Sequence, residues 1–170
     1  SKKDGAYLKD YIKPLCTELF AVDPKIQNLP KNNETFVTIY SKKLVEFLNS
    51  IGLKSGDKIR NQIGIPSWVF ENKNFLKVCL RGLIDTDGSI FRMSNKDSHL
   101  LRINFTNHNK KLLNDARLAF IKLGFHPSKI ICNNKIYISR KEDIVRYIKE
   151  IGFSNNKHIN RYHEFNSPVV

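Results

Sequence analysis

The chain has 170 residues, 41% apolar and 26% charged, a globular composition that argues against disorder and buries enough surface to fold without a disulfide or metal staple. Lys and Arg number 29 against 16 Asp and Glu, a net charge of +13. That field favours a polyanion, with nucleic acid ahead of an anionic membrane surface. The excess is uneven, +3 up to Glu71 and +10 beyond it.

In chain order, a helix is expected over about 6–20, then a turn at Pro24 and a strand opening at Lys25-Ile26. Residues 37–53 read as a short strand running into an amphipathic helix that stops at Gly52. A turn at Ile65-Pro66-Ser67-Trp68 precedes a helical stripe of apolar residues at 75, 76, 79, 80, 83 and 84. A hairpin follows: Ser89 to Ser94, a polar turn at Asn95-Lys96-Asp97-Ser98, then His99 to Asn107. The remainder is a helix over 109–123, a turn at Pro127, a strand opening at Lys129-Ile130, and a strand–helix pair over 136–153.

The last pair repeats residues 37–53. At an offset of 100, Leu44, Val45, Phe47, Leu48, Ile51 and Gly52 fall on Ile144, Val145, Tyr147, Ile148, Ile151 and Gly152. The order around each copy also agrees, with a helix, a Pro turn and Lys-Ile before it and a lysine (Lys58 or Lys157) after it. The chain therefore reads as a duplication: residues 1–71 as αββα, and residues 72–170 as a full αββαββα unit.

The central helix ends in L-R-G-L-I-D-T-D-G, Leu80 to Gly88. An EF-hand loop fails, because Leu83 and Ser94 would stand where oxygen ligands are obligatory. A haloacid-dehalogenase-type phosphatase matches D-x-D-G-S but needs a strand before it and a later acidic cluster, so it stays a distant alternative. The segment, with its lead-in from Lys58 to Val69 and the αββαββα order, strongly resembles the LAGLIDADG homing endonucleases, in the archaeal and intein-associated form.

The resemblance implies an α+β fold with saddle-shaped antiparallel sheets, the first unit lacking its motif helix and first hairpin. It implies a site-specific endonuclease that hydrolyses double-stranded DNA with Mg2+ (or Mn2+). Asp87 matches the metal-binding acid, with the Thr86 carbonyl as a secondary ligand. Lys157 and Lys58 match the basic residues that activate or orient water, and Asn107 a polar position in the water network. Asp85, two residues before Asp87, reads as capping or structural. Leu80, Gly82 and Leu83 are expected to pack the motif helix against a second such helix, supplied by chain upstream of Ser1 or by a homodimer.

The hairpins would lie in the major groove. Arg102, Asn104 and Thr106 alternate with apolar neighbours and form the expected DNA face, joined by Lys135, Tyr137 and Arg92, although Arg92 fits the alternation only if the strand carries a bulge. The rival reading keeps this fold as a cleavage-inactive DNA- or RNA-binding module, a maturase or regulator. Cys16, Cys79 and Cys132 are odd in number and widely spaced, which points to reduced thiols and an intracellular place, cytoplasm, nucleoid or organelle. No secretory leader or membrane span is visible at this stage, and His158 and His163 read as exposed.

Overall fold

The fold is that of a computed structural model, which describes residues 4–29, 34–93 and 100–166. The expected first helix forms in three pieces: α1 (Gly5–Tyr7), a π-helical turn (Leu8–Ile12) and α2 (Lys13–Phe20). Pro14 explains the widened turn, since it offers no N–H and its ring crowds the carbonyl four residues back. Strands β1 (Lys25–Leu29) and β2 (Glu34–Thr38) pair as an antiparallel hairpin of their own. Helix α3 (Lys42–Ser50) starts at Ser41, whose hydroxyl accepts from the Leu44 N–H.

The short α4 (Ser67–Phe70) leads into the motif helix α5 (Lys73–Asp87), capped by Asn72. Strand β3 (Gly88–Arg92) begins where α5 ends and pairs with β4 (Leu101–Thr106). The turn expected at Asn95-Lys96-Asp97-Ser98, with the strand ends Ser94 and His99, lies outside the described residues. Helix α6 (Lys110–Lys122), strand β5 (Lys135–Ile138) and helix α7 (Lys141–Glu150) follow. A final helix, α8 (Asn156–Asn166), was not expected.

The sheet of this second unit has three strands in the order β3-β4-β5, all antiparallel. A fourth strand near Lys129-Ile130 does not form; only a single bridge joins Ile131 to Lys135. The Ser128 hydroxyl accepts the Tyr137 N–H at 3.0 Å, taking the place a strand carbonyl would fill. Cys132 and Asn133, both at positive φ, then reverse the chain.

One face of this sheet carries the core. Ile90, Ile103, Phe105, Ile136 and Ile138 pack with Leu76, Leu80 and Ile84 of α5, with Leu113, Ala116 and Phe120 of α6, and with Ile144, Tyr147 and Ile151 of α7. At the two ends compared in the expected repeat, Gly52 (φ 93°) and Gly152 (φ 68°) follow α3 and α7, each at positive φ. The packing is unequal. Tyr147 is 0% exposed, whereas its counterpart Phe47 is 52% exposed.

His158 corrects another expectation. It is fully buried, its ring 5.1 Å from that of Phe153, and neither nitrogen closes a hydrogen bond of good geometry. Burial pushes its pKa down to about 4; the nearby Asp85 backbone opposes the shift only in part. The unfolded chain takes up this proton near pH 6.5 and the folded one only near 4. The contribution is therefore complete above pH 6.5 and is lost as pH falls toward 4, an effect of roughly 3 kcal/mol. His158→Phe should flatten the acid limb of a urea-midpoint profile between these pH values; an unchanged slope would contradict the assignment.

Candidate nucleic-acid-cleaving site

Helix α5 delivers Asp87 at its C-terminal end, at the edge of the sheet. The Asn107 side chain, leaving β4, donates from Nδ2 to Asp87 Oδ2 at 3.0 Å. Desolvation lifts the Asp87 carboxyl above its ordinary range, opposed by this hydrogen bond and by the charges of Lys58 and Lys157. Four residues expected at one centre, Asp87, Asn107, Lys58 and Lys157, are thus gathered from four separate segments. The Lys157 amine also pairs with Asp4 Oδ1 at 2.8 Å.

Asn109 was missed as a site residue. Its Oδ1 caps α6 by accepting the Leu112 N–H, and its Nδ2 donates to the carbonyls of Lys58 (2.8 Å) and Ile63 (2.7 Å). One buried side chain therefore starts a helix and holds the Lys58 loop against it. The Asn109 N–H in turn donates to Asn107 Oδ1 at 2.9 Å, so Asn107 is oriented from both ends of its amide. The sequence signal was the N-cap pattern at the head of 109–123.

Cross-strand register sets the sheet face beside this centre. Ser89 lies opposite Asn104, Phe91 opposite Arg102, Asn104 opposite Tyr137, and Thr106 opposite Lys135. Directly opposed residues share a face. Arg102, Asn104, Thr106, Lys135 and Tyr137 therefore stand together on the side away from the core, with Ser89 and Phe91 added to them. The Arg102 guanidinium lies over the Tyr137 ring at 5.0 Å, and Phe91 meets that ring edge-on at 6.5 Å.

Arg92 is not part of this face. No bulge interrupts β3, so Arg92 pairs with Leu101 and points to the other side. There its Nη2 donates to the Phe165 carbonyl at 2.7 Å and its guanidinium stacks on the Phe165 ring at 5.0 Å.

The motif-helix packing set also needs correction. Leu80 is 0% exposed and serves the core of its own unit, while Leu83 is half-buried at the margin of that core. Gly82 is turned about 200° from Leu80 and sits on the open face with Phe75 (49% exposed) and Val78 (58%). A cleft of about 130 Å³ separates Val78, Arg81 and Gly82 from Tyr7, Tyr11, Ile12 and Leu15 of the N-terminal helices.

The described residues thus form an α+β unit with an acid at a helix end, two lysines nearby and a polar, aromatic sheet face beside them. Residues 74–152 match the LAGLIDADG-like domain, which supports placing this segment in the LAGLIDADG homing endonuclease family. Two proteins of Methanocaldococcus jannaschii contain similar segments. The DNA-directed RNA polymerase subunit Rpo1C is 28% identical over 71% of this chain, and the replication factor C small subunit 27% identical over 85%. The matched regions span only 13% and 8% of those two proteins. No helix among the described residues is long and apolar enough to cross a membrane.

Proposed function

We propose that the chain is the catalytic, DNA-recognising part of a site-specific endonuclease acting on double-stranded DNA. The observation that carries this reading is the convergence of Asp87, Asn107, Lys58 and Lys157 beside a sheet face made of Arg102, Asn104, Thr106, Lys135 and Tyr137. The Asp87 carboxylate and the Thr86 carbonyl, one of the last-turn carbonyls with no intrahelical donor, are hard oxygens. They fit magnesium (or manganese), which takes one or two carboxylates and completes its shell with phosphate oxygens and water. When bound, such an ion lowers the pKa of water and neutralises charge on the phosphate.

The chain's own residues do the rest. Asn107 holds the Asp87 carboxylate in orientation through its amide. Lys58 and Lys157 supply positive charge that favours the ionised acid and steadies the charge developing on the scissile phosphate. The sheet face supplies recognition, with Arg102 braced on an aromatic ring and able to meet guanine edge-on. The two similar proteins, an RNA polymerase subunit and a replication factor C small subunit, differ in kind, yet each holds a similar short segment. That pattern supports a self-contained insert of the intein- or intron-associated kind.

The test is cleavage of a plasmid library carrying randomised inserts, with magnesium and with chelator, followed by sequencing of the ends. Metal-dependent cuts at one long, asymmetric site are expected. Specific binding without cuts under any metal would leave the binding-module reading in its place. In the same library Arg102→Ala should relax preference at one base pair and weaken specific binding by ~1–3 kcal/mol, read by fluorescence anisotropy. Binding itself should fall steeply with salt. Equal affinity at low and high salt would refute phosphate-led recognition.

A further inference from the structure

Asp85 is a buried acid that the proposed chemistry leaves without a task. It is 1% exposed and lies about 200° around α5 from Asp87. A buried carboxylate is unfavourable unless its oxygens are satisfied. Here Oδ2 accepts the Ser154 N–H at 2.9 Å and Oδ1 the Asn155 N–H at 3.2 Å, across some 70 residues of sequence. The Asp85 carbonyl accepts from Asn155 Nδ2 at 3.1 Å, which ties the same segment a third time.

Asn155, itself 1% exposed, passes the constraint on. Its Oδ1 accepts the Lys157 N–H at 3.2 Å, at the start of α8. Asp85 thus fastens the turn before α8 to the motif helix through backbone N–H groups two and three residues ahead of the lysine. The acid Asp87 and the amine Lys157 are then referenced to one rigid rod, although they are 70 residues apart in sequence.

We infer that Asp85, through Asn155, is a positioning residue for Lys157: it sets the Lys157 backbone and, with Asp4, which accepts from both Asn155 Nδ2 (3.3 Å) and the Lys157 amine (2.8 Å), where that amine stands relative to Asp87. Its effect on cleavage rate rests on the nuclease reading; the anchoring does not. A residue that merely filled space would not need two backbone N–H groups aimed at its two oxygens.

The test has two independent readouts on the full chain. The first is competitive acetylation of the DNA-free, metal-free protein, quantified by mass spectrometry, with the exposed Lys129 and Lys149 as internal references. Asp85→Ala should raise Lys157 acetylation several-fold relative to those references. The second is single-turnover cleavage in magnesium. Asp85→Ala should slow it about as much as Lys157→Ala, and the double variant should be no slower than Lys157→Ala alone, the non-additivity of residues acting as a unit. Asp85→Asn keeps one acceptor and should fall between; it also carries the test if the alanine variant fails to fold. Unchanged Lys157 reactivity, or losses that add in the double variant, would overturn the inference. A wild-type chain that cuts no DNA counts against the nuclease reading alone, and the acetylation ratio then decides the anchor.

Discussion

Asp87→Asn is expected to abolish metal-dependent cleavage while leaving DNA affinity nearly unchanged. The substitution keeps the shape of the side chain and its contact with Asn107, but removes the charge that a divalent ion requires. Losing one group that stabilises developing charge costs about 10²–10³ in rate, and losing the ion itself costs more. On the proposed reading, recognition lies elsewhere, on the face built by β3, β4 and β5, so binding should survive. Single-turnover cleavage beside an anisotropy titration checks both halves. An active preparation that kept its rate would show that Asp87 is not the centre.

A single copy of this chain should nick plasmid DNA rather than cut both strands. One motif helix offers one Asp87, and hydrolysis of two strands requires two such acids held together. On the nuclease reading, the stripe Phe75, Val78 and Gly82, part of which faces the N-terminal helices across a cleft, is where a second motif helix would pack, since a glycine there lets two backbones approach closely. Covering Phe75 and Val78, each about half exposed, is worth roughly 2–3 kcal/mol. Phe47 is 52% exposed, whereas its counterpart Tyr147 is buried against Phe120 and Phe153. Double-strand cutting should therefore rise with chain concentration, or appear when another motif helix is supplied. Gly82→Arg should suppress it and leave nicking. Sedimentation and the ratio of nicked to linear plasmid decide; clean double-strand breaks from a monomer would refute the account.

The parts of this fold that could be read early were those written locally. The stripe at 75–84, the alternation of Leu101 to Thr106 and the two Gly-terminated helices each follow from short-range periodicity. Arg92 could not be settled that way. The parity of β3 is fixed by Ser89 facing Asn104, a pairing between distant residues. Helix α8 escaped because its inward stripe is Asn155, His158, Tyr162 and Phe165, residue types that do not register as an apolar face. Leu80 was assigned to the wrong partner for a related reason. A motif that names which residues recur does not say which side of the rod each one occupies. The grouping of Asp87, Asn107 and the lysines came from family likeness, while Asn109 and Asp85 show their connections only once the loops are in place.

Helix α8 carries Lys157 near its first residue and, some 12 Å further along, the Phe165 ring and carbonyl that clasp Arg92 of β3. On the proposed reading it would be a lever with a reading strand at one end and a working amine at the other. A duplex that seated badly on the sheet and tilted β3 would then pull on Phe165, and the displacement would be carried along α8 toward Lys157. Fidelity in such a protein need not reside only in which bases are touched, because a poor fit is also felt, mechanically, where the bond is to be broken.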